Sequence, residues 1–220
     1  MKFSNESIEV LQNFSLINPS IVFNEGKQLR TMAPTKGCVA YADIDDEIPS
    51  SFGIYNLSQF LSVVKLFNEP EYTILDKSMV ISENKESINY VFADPSMIVT
   101  PPEKEIAFPD AEIEFDLPND VLGRITKAAA TLGSPELSVR GDGKDIFFES
   151  INVKNSSDNS YGVKIGESDK KFKMVFLLDN VKVLPKDYKV SISSKGISKW
   201  KADGLTYFIV TEAKSSKYEG

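Results

Sequence analysis

The sequence predicts an α+β protein of two similar domains, each with two helices packed on antiparallel sheet. Three observations lead there. Four of the eleven prolines, Pro95, Pro101, Pro102 and Pro109, fall between Val91 and Pro109. Proline has no amide donor and is excluded from helix interiors and central strands, so this mid-chain stretch is an extended connector. On its two sides the same order of elements occurs: a strand runs into a helical segment, then Pro70-Glu71-Tyr72 or Pro185-Lys186-Asp187-Tyr188 opens three short strands. A repeat on that scale is one of whole domains, not of a solenoid. Most strand candidates alternate apolar and polar residues, so each sheet has one covered and one wet face. The expected boundaries are 1–93, a connector at 94–109, and 110–220.

Composition limits the function classes. At 220 residues and 41% hydrophobic content the chain can bury a sufficient core. No apolar run approaches the roughly 18 residues of a membrane span, and MKFSNESIEV lacks the apolar core of a signal peptide; a soluble, intracellular protein is expected. The lone Cys38 excludes an internal disulfide and any multi-thiolate metal site, and reads as a small buried hydrophobe. Histidine is absent, which removes the commonest general base and every Ser-His or Cys-His nucleophile. No catalytic residue, cofactor or metal site is assigned.

Taken in order, Ser4–Ile17 places Ile8, Leu11 and Phe14 at helical spacing, with Ser4 able to cap and Glu6 in the first turn; Asn18-Pro19 ends it. Strands follow at 21–23, 28–32 and 39–42, as a meander. Asn56 with Gln59 suits a capping box, and Leu57, Phe60, Leu61 and Val64 form one apolar stripe. Three strands are expected at 72–75, 79–82 and 88–92. Beyond the connector, a strand at 113–116 leads through Pro118 into a helix over 120–132, with Val121, Ile125, Ala128 and Leu132 on one side and Arg124 and Lys127 opposite. Strands at 137–140 and 144–151 flank a Gly141-Asp142-Gly143 turn. Further strands are expected at 161–165 and 172–178, a short helical segment at 179–184, and strands at 188–193, 197–201 and 205–211.

Three other signals have structural readings. Asp43, Asp45, Asp46 and Glu47 match no cation-loop spacing and read as an acidic outer loop. Gly141–Asp145 lacks phosphate-loop spacing and lies between strands, as a hairpin turn. Trp200 between two lysines suits sheet core better than base stacking.

Several short motifs, in this order and spacing, carry a resemblance across the whole chain. They are Met1-Lys2-Phe3-Ser4 with Leu11-Gln12-Asn13-Phe14, and Ile54-Tyr55-Asn56-Leu57 with Phe60-Leu61. Ala93-Asp94-Pro95-Ser96 precedes an apolar pair and proline, Phe108-Pro109 follows, and Asn180 to Tyr188 includes its proline and tyrosine. The chain resembles the sliding clamps of T-even-like bacteriophages, and its Leu184–Tyr188 run is also similar to that of eukaryotic and archaeal trimeric clamps. The resemblance implies a DNA-clamp fold and a homotrimeric ring with pseudo-six-fold symmetry. It implies no catalysis, but encirclement of double-stranded DNA without sequence readout, tethering of a replicative DNA polymerase, loading by an ATP-dependent clamp loader, contacts to late-transcription factors, and a place in the cytoplasm of the infected bacterial host. The alternative is a protein-interaction or single-stranded-DNA-binding module that forms no ring.

If helices line the pore, Lys2, Lys65, Arg124, Lys127, Lys182 and Lys186 face phosphate. Against Glu6, Glu9, Asp120 and Asp179 these six leave the helical regions at +2, so the remainder carries −9 of the total −7; an acidic exterior would favour threading. By the same resemblance, an edge strand with Ile88, Tyr90 and Phe92 meets one with Tyr161, Val163 and Ile165 on the next subunit, since free edges demand partners. The resemblance also implies that Met97, Ile98 and Val99 wall a groove for partner peptides; the alternative is that they simply anchor the connector on the sheets.

Overall fold

Two units make up the computed structural model, which describes residues 2–220: the first ends at Lys104 and the second spans Glu105–Gly220. In the first, α1 (Asn5–Ile17) begins where the Ser4 hydroxyl accepts the Ser7 amide at 3.2 Å, and stops at Asn18 ahead of Pro19. Its buried side holds Val10, Leu11, Phe14 and Ile17, while Ile8 is half-buried. Strand β1 (Ile21–Phe23) pairs antiparallel with β4 (Phe52–Ile54), and β2 (Gly26–Met32) with β3 (Cys38–Ile48).

The acidic run lies on β3, not in a loop. Alternation along the strand turns Asp43, Asp45 and Glu47 to solvent and Ile44 and Ile48 inward. Helix α2 (Leu57–Val64) is capped by Asn56, whose side-chain oxygen accepts the Gln59 amide at 2.9 Å, and it buries the stripe Leu57, Phe60, Leu61 and Val64. β5 (Glu71–Ile74), β6 (Ser78–Glu83) and β7 (Glu86–Val91) follow as an antiparallel three-stranded sheet. The core is aromatic: Phe23 stacks on Phe52 at 4.6 Å, Phe52 on Phe92 at 4.7 Å, and Phe60 meets Phe23 edge-on at 6.3 Å. Burying one such ring is worth roughly 1.5–3 kcal/mol.

The second unit contains β8 (Ile113–Leu117), α3 (Asn119–Leu132), β9 (Glu136–Asp142), β10 (Asp145–Ile151), β11 (Tyr161–Glu167), β12 (Lys171–Leu177), β13 (Tyr188–Ser193), β14 (Ile197–Ala202), β15 (Leu205–Val210) and β16 (Lys217–Tyr218). One antiparallel sheet runs β11-β10-β9-β12-β16; in a second, β15, β14, β13 and β8 are successive neighbours. Pro118 stands just before α3, and Gly133 closes it in the left-handed region at φ 67°. The buried side is Val121, Leu122, Ile125 and Ala129; Ala128 is half-buried and Leu132 exposed, so the apolar stripe is rotated from the expected one.

The second helix expected in this unit is absent. Residues Leu178–Asn180 make one 3-10 turn, and Val181 leaves it with φ −93° and ψ 63°. Six residues with two β-branched valines, stopped by Pro185, are too few to repay helix nucleation. The described residues therefore hold three α-helices.

The run that follows is structural. Leu184 is buried, Tyr188 donates its hydroxyl to the Leu184 carbonyl at 2.7 Å, and Asp187 accepts the amide of Asn119 at the start of α3, also at 2.7 Å. Trp200 is fully buried, ringed by Phe148, Phe176 and Tyr188 at 6.1–6.3 Å, with its indole N–H on the Ser198 hydroxyl. A base cannot reach it. Cys38 is buried, and no helix of the described residues is long and apolar enough to cross a membrane.

Candidate nucleic-acid interface

The six expected phosphate-facing cations fall into different settings. Lys2 is exposed just ahead of α1, and Lys65 is exposed at the C-cap of α2, where the negative helix end favours a cation. Arg124 and Lys127 lie one turn apart on the solvent side of α3. Arg124 reaches back to Asp120 at 2.6 Å, but with the two side chains 52% and 66% exposed this pair is worth only about 0.3–0.5 kcal/mol and leaves the guanidinium free to exchange partners. Lys182 and Lys186 are half-buried on the extended run after the 3-10 turn, not on a helix, and each has contacts of its own. Helix α1 carries Glu6 and Glu9 and no lysine or arginine. Of the expected set, only Arg124 and Lys127 share a helix face.

Each unit ends a sheet in an edge strand. On β7, Ile88 and Tyr90 are half-buried on the side facing the unit's core: Tyr90 meets Phe60 of α2 edge-on at 5.3 Å and donates to the Asn56 carbonyl at 3.3 Å. Phe92, one residue past the strand, stacks on Phe52. Burial raises the Tyr90 hydroxyl pKa above the ordinary tyrosine value. The opposite side of β7 shows Asn89 and the largely exposed Val91. On β11, Tyr161, Val163 and Ile165 are likewise half-buried on one side of the sheet, with Lys164 between them facing out and paired to Asp145 at 2.6 Å. Both trios thus lie at a sheet's margin, with an apolar side their own unit covers only in part.

The connector splits its three apolar residues. Asp94 accepts the Ser96 amide and starts a 3-10 turn, Pro95–Met97, after which Ile98 turns inward and is 7% exposed. Its Cδ1 lies 3.1 Å from where a side chain on Gly53 would begin, so glycine at 53 makes the socket. Met97 and Val99 point out, 70% and 41% exposed. Two fasteners were not legible in the sequence. Asn18, 3% exposed, donates its amide to the carbonyls of Met32 and Val99; Arg30, over the Tyr41 ring at 4.7 Å, donates to those of Pro102 and Glu103. Only the helix-stopping role of Asn18 could be read beforehand. In the second unit, Phe108 packs on Phe208 at 6.1 Å with the Lys199 ammonium 5.1 Å from its ring centre.

The acidic strand gathers no metal cluster: among the described residues no group of three or more His, Cys, Asp or Glu side chains is placed to hold an ion. Asp46 instead accepts the Ser4 amide at 2.7 Å and the Ser4 hydroxyl at 2.8 Å, tying the start of α1 to β3. Burial alone would raise its pKa, but bonds from Ser7 and Ser4, with Lys27 nearby, outweigh that and hold it below the ordinary carboxylate value.

Two family models match. One described as "DNA polymerase processivity factor" covers residues 4–100, and one described as "gp45 sliding clamp, C terminal" covers 114–213. The sliding clamp of Vibrio phage KVP40 is 35% identical over 97% of this chain and 100% of its own, and that of Enterobacteria phage T4 is 26% identical over 98% and 99%. Among solved structures, the proliferating cellular nuclear antigen of Entamoeba histolytica superposes with a TM-score of 0.68 at 16% identity, over 93% of this chain and 94% of that one. The A. fulgidus PCNA, with the C-terminal region of FEN-1 bound to it, gives 0.66 at 14%, over 93% and 94%. At those identities the structures speak for the fold alone.

Proposed function

Because this chain belongs to the phage sliding-clamp family of DNA polymerase processivity factors, we propose that three copies close into a ring around duplex DNA. The observation that carries the ring is the pair of half-covered sheet margins: β7 with Ile88, Tyr90 and Phe92, and β11 with Tyr161, Val163 and Ile165. Pairing one copy's β7 with the next copy's β11 satisfies both rows of open backbone groups and completes both apolar sides. A domain division near 94–109 then makes six similar domains from three chains.

The ring holds DNA without reading bases and without catalysis of its own. Arg124 and Lys127 supply the clearest positive face, with Lys2, Lys65, Lys182 and Lys186 as lesser contributors. Met97 and Val99 form the exposed part of the docking surface for polymerase and other partner peptides, and Ile98 anchors it; the A. fulgidus PCNA, with its bound FEN-1 segment, gives a precedent for peptide docking on this fold. An ATP-dependent loader opens the ring, late-transcription factors share its docking surface, and it works in the cytoplasm of the infected bacterium.

Retention on closed circular DNA tests the encirclement. The protein should stay bound to a nicked circle through gel filtration and leave when one restriction cut makes the circle linear. Equal retention on both forms would mean ordinary surface binding and would sink the ring.

A further inference from the structure

We propose that Asn18 and Arg30 are positioning residues for partner docking: they hold the connector main chain so that Met97 and Val99 stay presented. The inference rests on the docking reading above and names the groups that make it work. Pro101 and Pro102 have no amide hydrogen, so this stretch cannot fasten itself by a strand ladder, and their carbonyls are its main-chain bonding groups. Side-chain donors must do it instead. Arg30 gives one nitrogen to the Pro102 carbonyl at 2.8 Å and the other to the Glu103 carbonyl at 3.3 Å, a two-pronged grip that lysine cannot copy.

Asn18 grips the other end. Its carboxamide accepts the Ser20 amide at 2.9 Å and gives its two hydrogens to Met32 and Val99 at 2.9 and 3.0 Å, which uses both donors of a side chain sealed from water. With Val99 held at its carbonyl and Ile98 seated against Gly53, extended geometry turns the neighbours on either side of Ile98 outward. Only four residues, 99–102, therefore lie between the first fastened position, 98, and the last, 103. A strap fixed beforehand loses little conformational freedom when a partner docks; a loose one must be ordered by the partner at a cost in affinity.

The experiment is an equilibrium titration of fluorescently labelled clamp with its cognate DNA polymerase. It is paired with primer extension at saturating polymerase and with hydrogen exchange of the connector amides. Arg30→Ala should weaken the polymerase affinity about three- to ten-fold, the range one or two net hydrogen bonds supply, leave extension length at saturation unchanged, and speed exchange at residues 97–100 and 103–104. Arg30→Lys should recover part of the loss. Asn18→Ala should act in the same direction, but Asn18 also closes α1, so the more exposed Arg30 keeps the test open if the Asn18 variant fails to fold. Unchanged or tighter binding by Arg30→Ala, with faster connector exchange, would overturn the inference. A Met97→Glu and Val99→Glu double variant separates the two ideas: if it weakens binding while Arg30→Ala does not, only the positioning role fails. If it binds normally, the docking reading fails and takes this one with it.

Discussion

Helices α1 and α3 start in the same way and present opposite faces. Each takes its first free amide to an aspartate far along the chain: Ser4 to Asp46 on β3, Asn119 to Asp187 just ahead of β13, both at 2.7 Å. Such bonds satisfy donors that no helix can satisfy internally. From there they diverge. α1 is held again at its far end by Asn18 and shows Glu6 and Glu9 to solvent, whereas α3 ends on backbone alone, at Gly133, and shows Arg124 and Lys127. The helix most tied to its surroundings by side chains is the one with an acidic exposed face, and the one with the plainer ends has the basic face. In the proposed ring, anchoring and DNA attraction fall to different units.

The sharpest way to break that division is to exchange the charges. Arg124→Glu with Lys127→Glu should shorten the lifetime on a closed circle more than ten-fold at moderate salt. It should also flatten the salt dependence by roughly one logarithmic unit for each phosphate left unneutralised. Glu6→Lys with Glu9→Lys should lengthen the lifetime and steepen that dependence. Salt titration of retention reads both. If the α3 pair changes neither quantity, α3 is not the electrostatic face and the comparison collapses.

A smaller effect concerns the anchors. Asp46→Ala removes the acceptor of both the Ser4 amide and hydroxyl, and should lower stability by about 1–2 kcal/mol, the range of a lost helix cap. Asp187→Ala removes one exposed bond and should cost about 0.5–1 kcal/mol. Urea unfolding midpoints at neutral pH distinguish them. The reverse order would mean that α3, for all its plain ends, depends more on its anchor.

How far the sequence reached follows from which physical signals are local. The stripe Leu57, Phe60, Leu61 and Val64 fixed α2 because four apolar residues at helical spacing permit one face only. The segment Asp179–Leu184 misled, because Val181 and Leu184 at a three-residue spacing suit a helix turn as well as the irregular buried run that the structure shows. The acidic run on β3 was readable and was missed: Asp43-Ile44-Asp45 already alternates. Within the candidate site, the exposure of Arg124 and Lys127 on one helix face was legible since an apolar stripe defines their opposite face. The inward turn of Ile98 was not, because three adjacent apolar residues fix no phase without the Gly53 socket, 45 positions earlier. Asn18 and Arg30 act on main-chain carbonyls more than seventy residues away, and such carbonyls leave no trace in residue identity.

The subtlest expectation is one of pH, and it concerns the α1 anchor. The folded protein holds the Asp46 carboxyl below its ordinary value: burial opposes ionisation, and the Ser7 and Ser4 bonds with Lys27 more than reverse it. A carboxylate whose folded pKa is depressed binds a proton more readily unfolded than folded. Its contribution to stability is therefore fully present above the unfolded value, near 3.9, and disappears as pH falls through the lower folded value. Asp46→Asn cannot ionise but keeps an oxygen that accepts the Ser4 amide. Urea midpoints of the original and this variant should differ by a constant amount from about pH 7 down to about pH 5, then converge as the solution is made more acid. Because Asp46 is half-buried rather than sealed from water, salt should narrow the gap at neutral pH. Parallel curves down to pH 2 would mean that the carboxylate charge does nothing for α1, leaving the geometry of the hydrogen bonds alone as the anchor.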